Sequence, residues 1–176
     1  MSEDAYAGFA ERYDWMIQED PVRHEFFRQL FDKHGVHKVL DCACGTGHDL
    51  IMLHSFGCEV FASDLSASML AQAQKNLLAA GIEVPFIQAD FRQLPDFFDV
   101  KFDAVVCLTN SINEVVTDAE SLQALRSMKA VLSDGGILIF DQGQTDASMK
   151  NPAKFDLVVN NRDWTRFFVL EYSGNI

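Results

Sequence analysis

Apolar positions along this chain fall into two rhythms. Five short runs are strand-length and rich in Val, Ile or Phe: HKVLD (37–41), CEVFASD (58–64), EVPFIQAD (83–90), FDAVVCL (102–108) and GILIFD (136–141). Between them the apolar residues recur in steps of three and four, which predicts helices over 48–56, 66–80 and 118–132. Val22, Phe26, Phe27, Leu30 and Phe31 predict one more helix, over 21–34, ended by Gly35. Ser66 reads as an N-cap, Gly81 as a helix stop, and SDGG (133–136) as a tight turn into the fifth strand. No internal repeat or low-complexity segment interrupts the alternation. Strands alternating with helices predict an α/β fold: a Rossmann-like, doubly wound, mostly parallel sheet with helices on both faces.

An open sheet of that kind binds ligands outside the carboxyl ends of its strands, where strand order reverses. The chemistry is therefore sought just after each apolar run. The residues there are Asp41, Asp64, Asp90, Leu108 to Ser111, and Asp141. Aspartate is common in turns and caps, but four strand-end carboxylates on one edge are more than turn chemistry calls for.

After Asp41 the small residues Ala43, Gly45 and Gly47 recur at alternate positions, and a helix follows. Glycine permits positive φ and close approach, and the helix start presents its free N–H groups. Nicotinamide-binding loops use G-x-G-x-x-G; the spacing here is D-x-A-x-G-x-G, and its acid sits badly beside a pyrophosphate. About twenty residues on, Asp64 ends the second strand, where a carboxylate accepts from both hydroxyls of a ribose. Together these features ask for a nucleoside without a phosphate tail, and S-adenosylmethionine meets that description.

Composition narrows the remaining classes. The net charge of −12, with scattered Lys and Arg, disfavours a phosphate-backbone partner, so no nucleic acid is expected. No window holds the roughly 18 apolar residues of a membrane span, so no membrane partner is expected. The start, MSEDAYAGFAERYDW, lacks a basic region followed by an apolar run. Cys42, Cys44, Cys58 and Cys107 show no C-x-x-C spacing and read as reduced thiols of a cytoplasmic protein. The five histidines lack ligand spacing, so no metal is expected, and only His48 stands near the loop. Phe97 and Phe98 are expected in the core; Trp15 and Tyr6 are either lid residues or ordinary helix packing.

With these motifs in view, the chain resembles class I S-adenosylmethionine-dependent methyltransferases over nearly its whole length. VLDCACGTGHDLIMLHSFGCEVFASDLSASML is most similar to the glycine and glycine/sarcosine N-methyltransferase group, and LTNSINEV to that group's segment after the fourth strand. The resemblance implies S-adenosylmethionine as cofactor, with Ala43, Gly45 and Gly47 lining its methionine part, Asp64 on the ribose, and Leu65 and Met69 on the adenine. It also implies that Asp90 accepts from the adenine amino group, Phe91 flanks the ring, and the Leu108 carbonyl takes the cofactor ammonium. Asn110 then orients the substrate carboxylate, Tyr13 of ERYDWM lies near the sulfonium, and Arg23 meets the cofactor carboxylate. Asn110 and Tyr13 are the implied catalytic residues.

Two departures stand out. Ala43 replaces the first glycine of the usual loop, and Glu114 stands where the animal-type glycine enzymes carry histidine. The expected organisation is a helical lid over 1–34 and a methyltransferase domain over 35–176. KFDLVV (154–159) and DWTRFFVLEYS (163–173) supply strands of a C-terminal hairpin that the family's pattern leaves incomplete, lacking a last strand and a substrate-capping insert. The implied reaction is methyl transfer to a small molecule, an amine such as glycine or sarcosine, by in-line displacement, for which alignment supplies most of the catalysis. The alternatives are transfer to oxygen or carbon of another metabolite, and a non-catalytic S-adenosylmethionine-binding module.

Overall fold

The computed structural model describes residues 4–18, 20–143, 150, 155–160 and 165–169, with backbone alone for 155–160 and 166–169. Residues 4–142 contain a parallel sheet of five strands: β1 (Lys38–Asp41), β2 (Glu59–Asp64), β3 (Phe86–Gln88), β4 (Phe102–Cys107) and β5 (Leu132–Phe140). Their order is β3-β2-β1-β4-β5, every pair is parallel, and the order reverses between β1 and β4. This is the expected Rossmann-like sheet, and the reversal places the crevice over Asp41.

Each face of the sheet has its own core. On one face, Val39, Val60, Ala62, Ala104 and Val106 pack under Phe27 and Phe31 of α2 (Pro21–His34), Leu50 and Leu53 of α3 (His48–Ser55), and Leu77 of α4 (Ala67–Ala79). On the other, Leu40, Phe102 and Val105 pack under Leu94 and under Ala124, Met128 and Val131 of α5 (Asp118–Val131). The strand positions alternate between the faces, as a pleat requires. Because both faces are covered, the strands read as continuous apolar runs rather than as an alternating pattern. A four-residue helix, α1 (Ala10–Tyr13), and a 3₁₀ turn at Asp14–Met16 precede α2.

Local signals account for the helix boundaries. Asp20 caps α2 by accepting from the N–H groups of Val22 and Arg23, Pro21 occupies the first turn, and Gly35 closes the helix in the left-handed region at φ 60°. Ser66 caps α4 by accepting from Met69 N–H, and Thr117 caps α5 by accepting from Glu120 N–H. Such caps each contribute about 1 kcal/mol.

Two local expectations are corrected. SDGG is not a turn ahead of the strand: β5 runs from Leu132, and the register against β4 shifts between Phe102 and Ala104, with Gly135 at φ +81°. The extra residues form a bulge, which tolerates the tight turn chemistry without ending the strand. Phe97 does not join the core. It is 42% exposed while Phe98 is buried, because adjacent residues at the end of the 3₁₀ segment Phe91–Asp96 cannot both face the sheet.

The chain divides after Gln142. Beyond it, β6 (Phe155–Asn160) and β7 (Thr165–Val169) pair antiparallel, as the hairpin reading requires. Residues 154, 163–164 and 170–173 of the two tail segments lie outside the described residues.

Candidate active site

The glycine loop is built by β1 running out at the switch point. Asp41 is 1% exposed, and one carboxylate oxygen accepts from Ala43 N–H at 3.2 Å. Burial pushes its acid well above the usual carboxylate value, and the charges of Asp49 and Asp64 push the same way, opposed by Arg23. Gly45 and Gly47 follow at φ +53° and +83°, where side chains are disfavoured. Their roles differ. A Cβ on Gly45 would meet nothing within 4 Å, whereas one on Gly47 would come to 3.2 Å of the Ala73 Cβ in α4. Gly45 is small toward open space and Gly47 is small toward the helix.

Asp64 ties this loop to β2. Its Oδ2 accepts from Gly45 N–H and its Oδ1 from Ser66 N–H, both at 2.8 Å. An ionised carboxylate has about four acceptor positions, so one already oriented by these amides can still accept from a ribose hydroxyl. Burial raises the Asp64 acid, against the lowering effect of the Ser66, Gly45 and Leu65 amides. Leu65 beside it is 62% exposed, an apolar side chain held at the carboxyl edge of the sheet. Met69, by contrast, is buried at 2% in the first turn of α4, so it supports this edge from beneath rather than facing a ligand.

The N-terminal segment closes over the loop. Asp14 accepts from Thr46 Oγ1 at 2.5 Å and from Asn76 Nδ2 at 2.7 Å, and Asn76 also donates to the Thr46 carbonyl at 2.9 Å. Asp4 accepts from the Ser66 and Ser68 hydroxyls and from Ser68 N–H at the start of α4, and these bonds hold its acid well below the usual range. Between these two anchors, Tyr6 and Tyr13 meet edge to face with centroids 6.3 Å apart. Burial, followed by Tyr6 and the Asp64 charge, pushes the Tyr13 phenol up to about 12. It is therefore a donor and not a base at neutral pH. Burial also raises Tyr6, helped by Glu114 and Asp64. Tyr6 packs on Tyr13, and its N–H donates to Asp4.

Arg23 reaches the same edge, but Asp49 in the first turn of α3 holds its guanidinium through two bonds, of 2.5 and 2.9 Å. It also lies over the Phe27 ring at 5.2 Å. An arginine so held is a fixed positive group at the loop's rim. Asp90, expected at the adenine amino group, is engaged by the Arg92 guanidinium and backbone N–H, and Arg92 also binds Glu120. Phe91 packs against the second core. Of the four strand-end aspartates, Asp41 and Asp64 flank the loop and Asp141 acts with Asp41 on Arg23 at its rim, while Asp90 is engaged by Arg92.

The segment after β4 carries the unusual backbone. Leu108 is buried, and its carbonyl accepts from Ser111 Oγ at 2.8 Å and Ser111 N–H at 3.4 Å. Thr109 and Asn110 between them have φ 60° and 64°, a pairing otherwise dominated by glycine and asparagine. Both their N–H groups donate to Asp141, at 3.0 and 2.6 Å.

Sequence reasoning missed three contributors: Asp14, Thr46 and Asp49. Asp14 follows Tyr13 in the lid, but its partners are 32 and 62 residues away, and no local signal announces them. Asp49 looks like an ordinary first-turn acid. Thr46, 2% exposed between two glycines, was visible only as a small loop residue.

The donor set fits S-adenosylmethionine. The Asp64 carboxylate, oriented by its amides, matches a ribose hydroxyl, and the space beside Gly45 admits a chain without a side-chain clash.

Comparison with known proteins agrees. Residues 39–136 match the methyltransferase domain family. The chain is 34% identical over 142 residues to a glycine/sarcosine N-methyltransferase of Aphanothece halophytica, covering 79% of this chain and 54% of that protein. In structure it is similar to an S-adenosylmethionine-dependent methyltransferase of Clostridium acetobutylicum, with TM-score 0.77, 22% identity and coverage of 96% and 70%. The sugar N-methyltransferase KedS8 of Streptoalloteichus gives TM-score 0.69, 28% identity and coverage of 91% and 62%. The chain spans about half the length of the glycine/sarcosine N-methyltransferases it matches. Loop, strand ends and fold together show that the chain belongs to the methyltransferase domain family, as a class I S-adenosylmethionine-dependent member near the glycine/sarcosine N-methyltransferases.

Proposed function

We propose that this chain binds S-adenosylmethionine across the carboxyl edge of β1, β2 and β4 and directs its methyl group to a small amine, of which glycine and sarcosine are the first candidates. The observation that carries the reading is Asp64, oriented at the end of β2 by the Gly45 and Ser66 amides. The acceptor class rests on the glycine/sarcosine N-methyltransferase relatives, and the sugar N-methyltransferase likeness brings amino sugars into the same test.

Bound S-adenosylmethionine supplies an already activated methyl group on a sulfonium. The protein's part is then alignment and charge. Asp64 holds the ribose, Leu65 offers an apolar platform to the base, and the open side of the loop at Gly45 and the Leu108 carbonyl meet the zwitterionic end. Tyr13 and Tyr6, held by Asp14 and Asp4, cover the site and reduce water access. Tyr13 donates a hydrogen bond rather than taking a proton, because its phenol stays protonated. Arg23 is a positioning group at the rim, Asn110 follows β4 where an acceptor carboxylate is oriented, and the residues work in a helical lid over 1–34 and a domain beyond it. The protein acts on a small molecule in the cytoplasm. No described helix is long and apolar enough to cross a membrane.

The test is calorimetry with S-adenosylmethionine, S-adenosylhomocysteine and a nicotinamide dinucleotide, followed by labelled-methyl transfer to glycine, sarcosine and amino sugars. Binding of the first two and not the third, with label on an amine, is the expected result. Binding of nicotinamide alone ends the reading. Asn110→Ala should leave cofactor affinity within about twofold and lower turnover by about tenfold or more.

A further inference from the structure

Among the described residues, only Thr109 and Asn110 hold positive φ without being glycine, and they are consecutive. Thr109 is the sharper case, since a β-branched side chain is poorly tolerated there. Such backbone persists only where its surroundings over-determine it, and it gathers at ligand sites. One group over-determines it here: the Asp141 carboxylate, at the end of β5, takes both N–H groups in a fork. Asp141 is a strand-end acid that the proposed chemistry does not otherwise use.

A planar trans peptide ties the direction of each N–H to that of the carbonyl before it. Holding Thr109 N–H on Asp141 therefore aims the Leu108 carbonyl away from Asp141, and holding Asn110 N–H sets the carbonyl of Thr109 and the entry into the Ser111–Glu114 turn. Two donors to the Leu108 oxygen belong to Ser111, its hydroxyl at 2.8 Å and its N–H at 3.4 Å, so a ligand ammonium approaches from the side away from Ser111.

We infer that Asp141 is a positioning residue of this site: its carboxylate clamps the strained Thr109–Asn110 turn so that the Leu108 carbonyl accepts from the ammonium of the bound cofactor. This rests on the proposed S-adenosylmethionine site and adds a residue that touches neither cofactor nor acceptor. The clamp serves the ammonium end selectively, because the adenosine end is held on β2 by Asp64.

The full chain is titrated calorimetrically with S-adenosylmethionine and with 5′-methylthioadenosine, which keeps the nucleoside and lacks the ammonium. Asp141→Ala should weaken S-adenosylmethionine binding by about tenfold or more, the size of one charge-assisted hydrogen bond, while 5′-methylthioadenosine binding stays within about twofold. Thr109→Gly in the Asp141→Ala background removes the side chain that resists the left-handed backbone, so it should recover part of the lost affinity. Asp141→Ala that weakens both ligands equally makes the clamp merely structural and overturns the inference. So does an unchanged ratio. Wild-type chain that binds neither ligand overturns the S-adenosylmethionine reading itself, and this inference with it.

Discussion

The two loop glycines make opposite predictions that one pair of substitutions separates. Alanine at either position must hold the left-handed region, which costs about 1–2 kcal/mol. At Gly47 the new methyl also meets the Ala73 Cβ at 3.2 Å and its Cα at 3.4 Å, between α3 and α4, so the helices must give by a few tenths of an ångström. Overpacking of that kind adds about 1–2 kcal/mol. Gly47→Ala should thus cost about 2–4 kcal/mol, twice the cost of Gly45→Ala. For a chain of this size that is roughly 8–10 °C in Tm against about 4 °C. Ligand affinity should run in reverse order. The Gly45 methyl projects into open space next to the Asp64 carboxylate, where the cofactor's amino-acid end is proposed to lie, so S-adenosylmethionine binding should fall by at least about tenfold. Gly47→Ala, measured where it is still folded, should change affinity by less than about threefold. Thermal unfolding followed by circular dichroism and calorimetric titration of both variants provide the comparison. Equal losses of affinity in the two, or wild-type affinity in Gly45→Ala, would refute the assignment of the loop.

Asp64→Ala should weaken S-adenosylmethionine by about tenfold or more, through a lost charge-assisted bond, and unchanged affinity in a titration removes the ribose assignment. Asp41 carries a raised folded-state acid, so its contribution to stability is present below the ordinary value of 3.8 and is lost as pH rises through the raised one. Asp41→Asn should therefore stabilise the free chain in urea at about pH 7 but not at about pH 3, while weakening the cationic cofactor. A stability gain of equal size at both pH values contradicts the burial argument. Asp14→Ala removes two side-chain bonds that join the lid to Thr46 and Asn76. Amide exchange over residues 6–16 should then speed by about tenfold, with the core strands unchanged, and unaltered exchange there would mean that the latch holds nothing.

Much of the fold was legible because its signals are local. The helix over 21–34 carries its Asp20 cap, Pro21 and Gly35 stop within sixteen residues, and Ser66 and Gly81 bracket α4 in the same way. The apolar runs became β1 to β5 because strands covered on both faces need no alternation to declare themselves. SDGG misled for the same reason: glycine and aspartate favour a turn, but pairing with β4 across the bulge keeps those residues in the strand.

The chain's sequence by itself determined the α/β alternation, the D-x-A-x-G-x-G loop and the acid one strand later, since each is a pattern of neighbours. Only the tertiary structure decided what those acids do. Asp64 faces the loop because Gly45 and Ser66 amides turn it there, Asp90 is taken by Arg92, and Asp141 is spent on the backbone of Thr109 and Asn110. A carboxylate's role follows from which donors reach it, and those donors come from other strands and helices whose distance in space is unrelated to their distance along the chain.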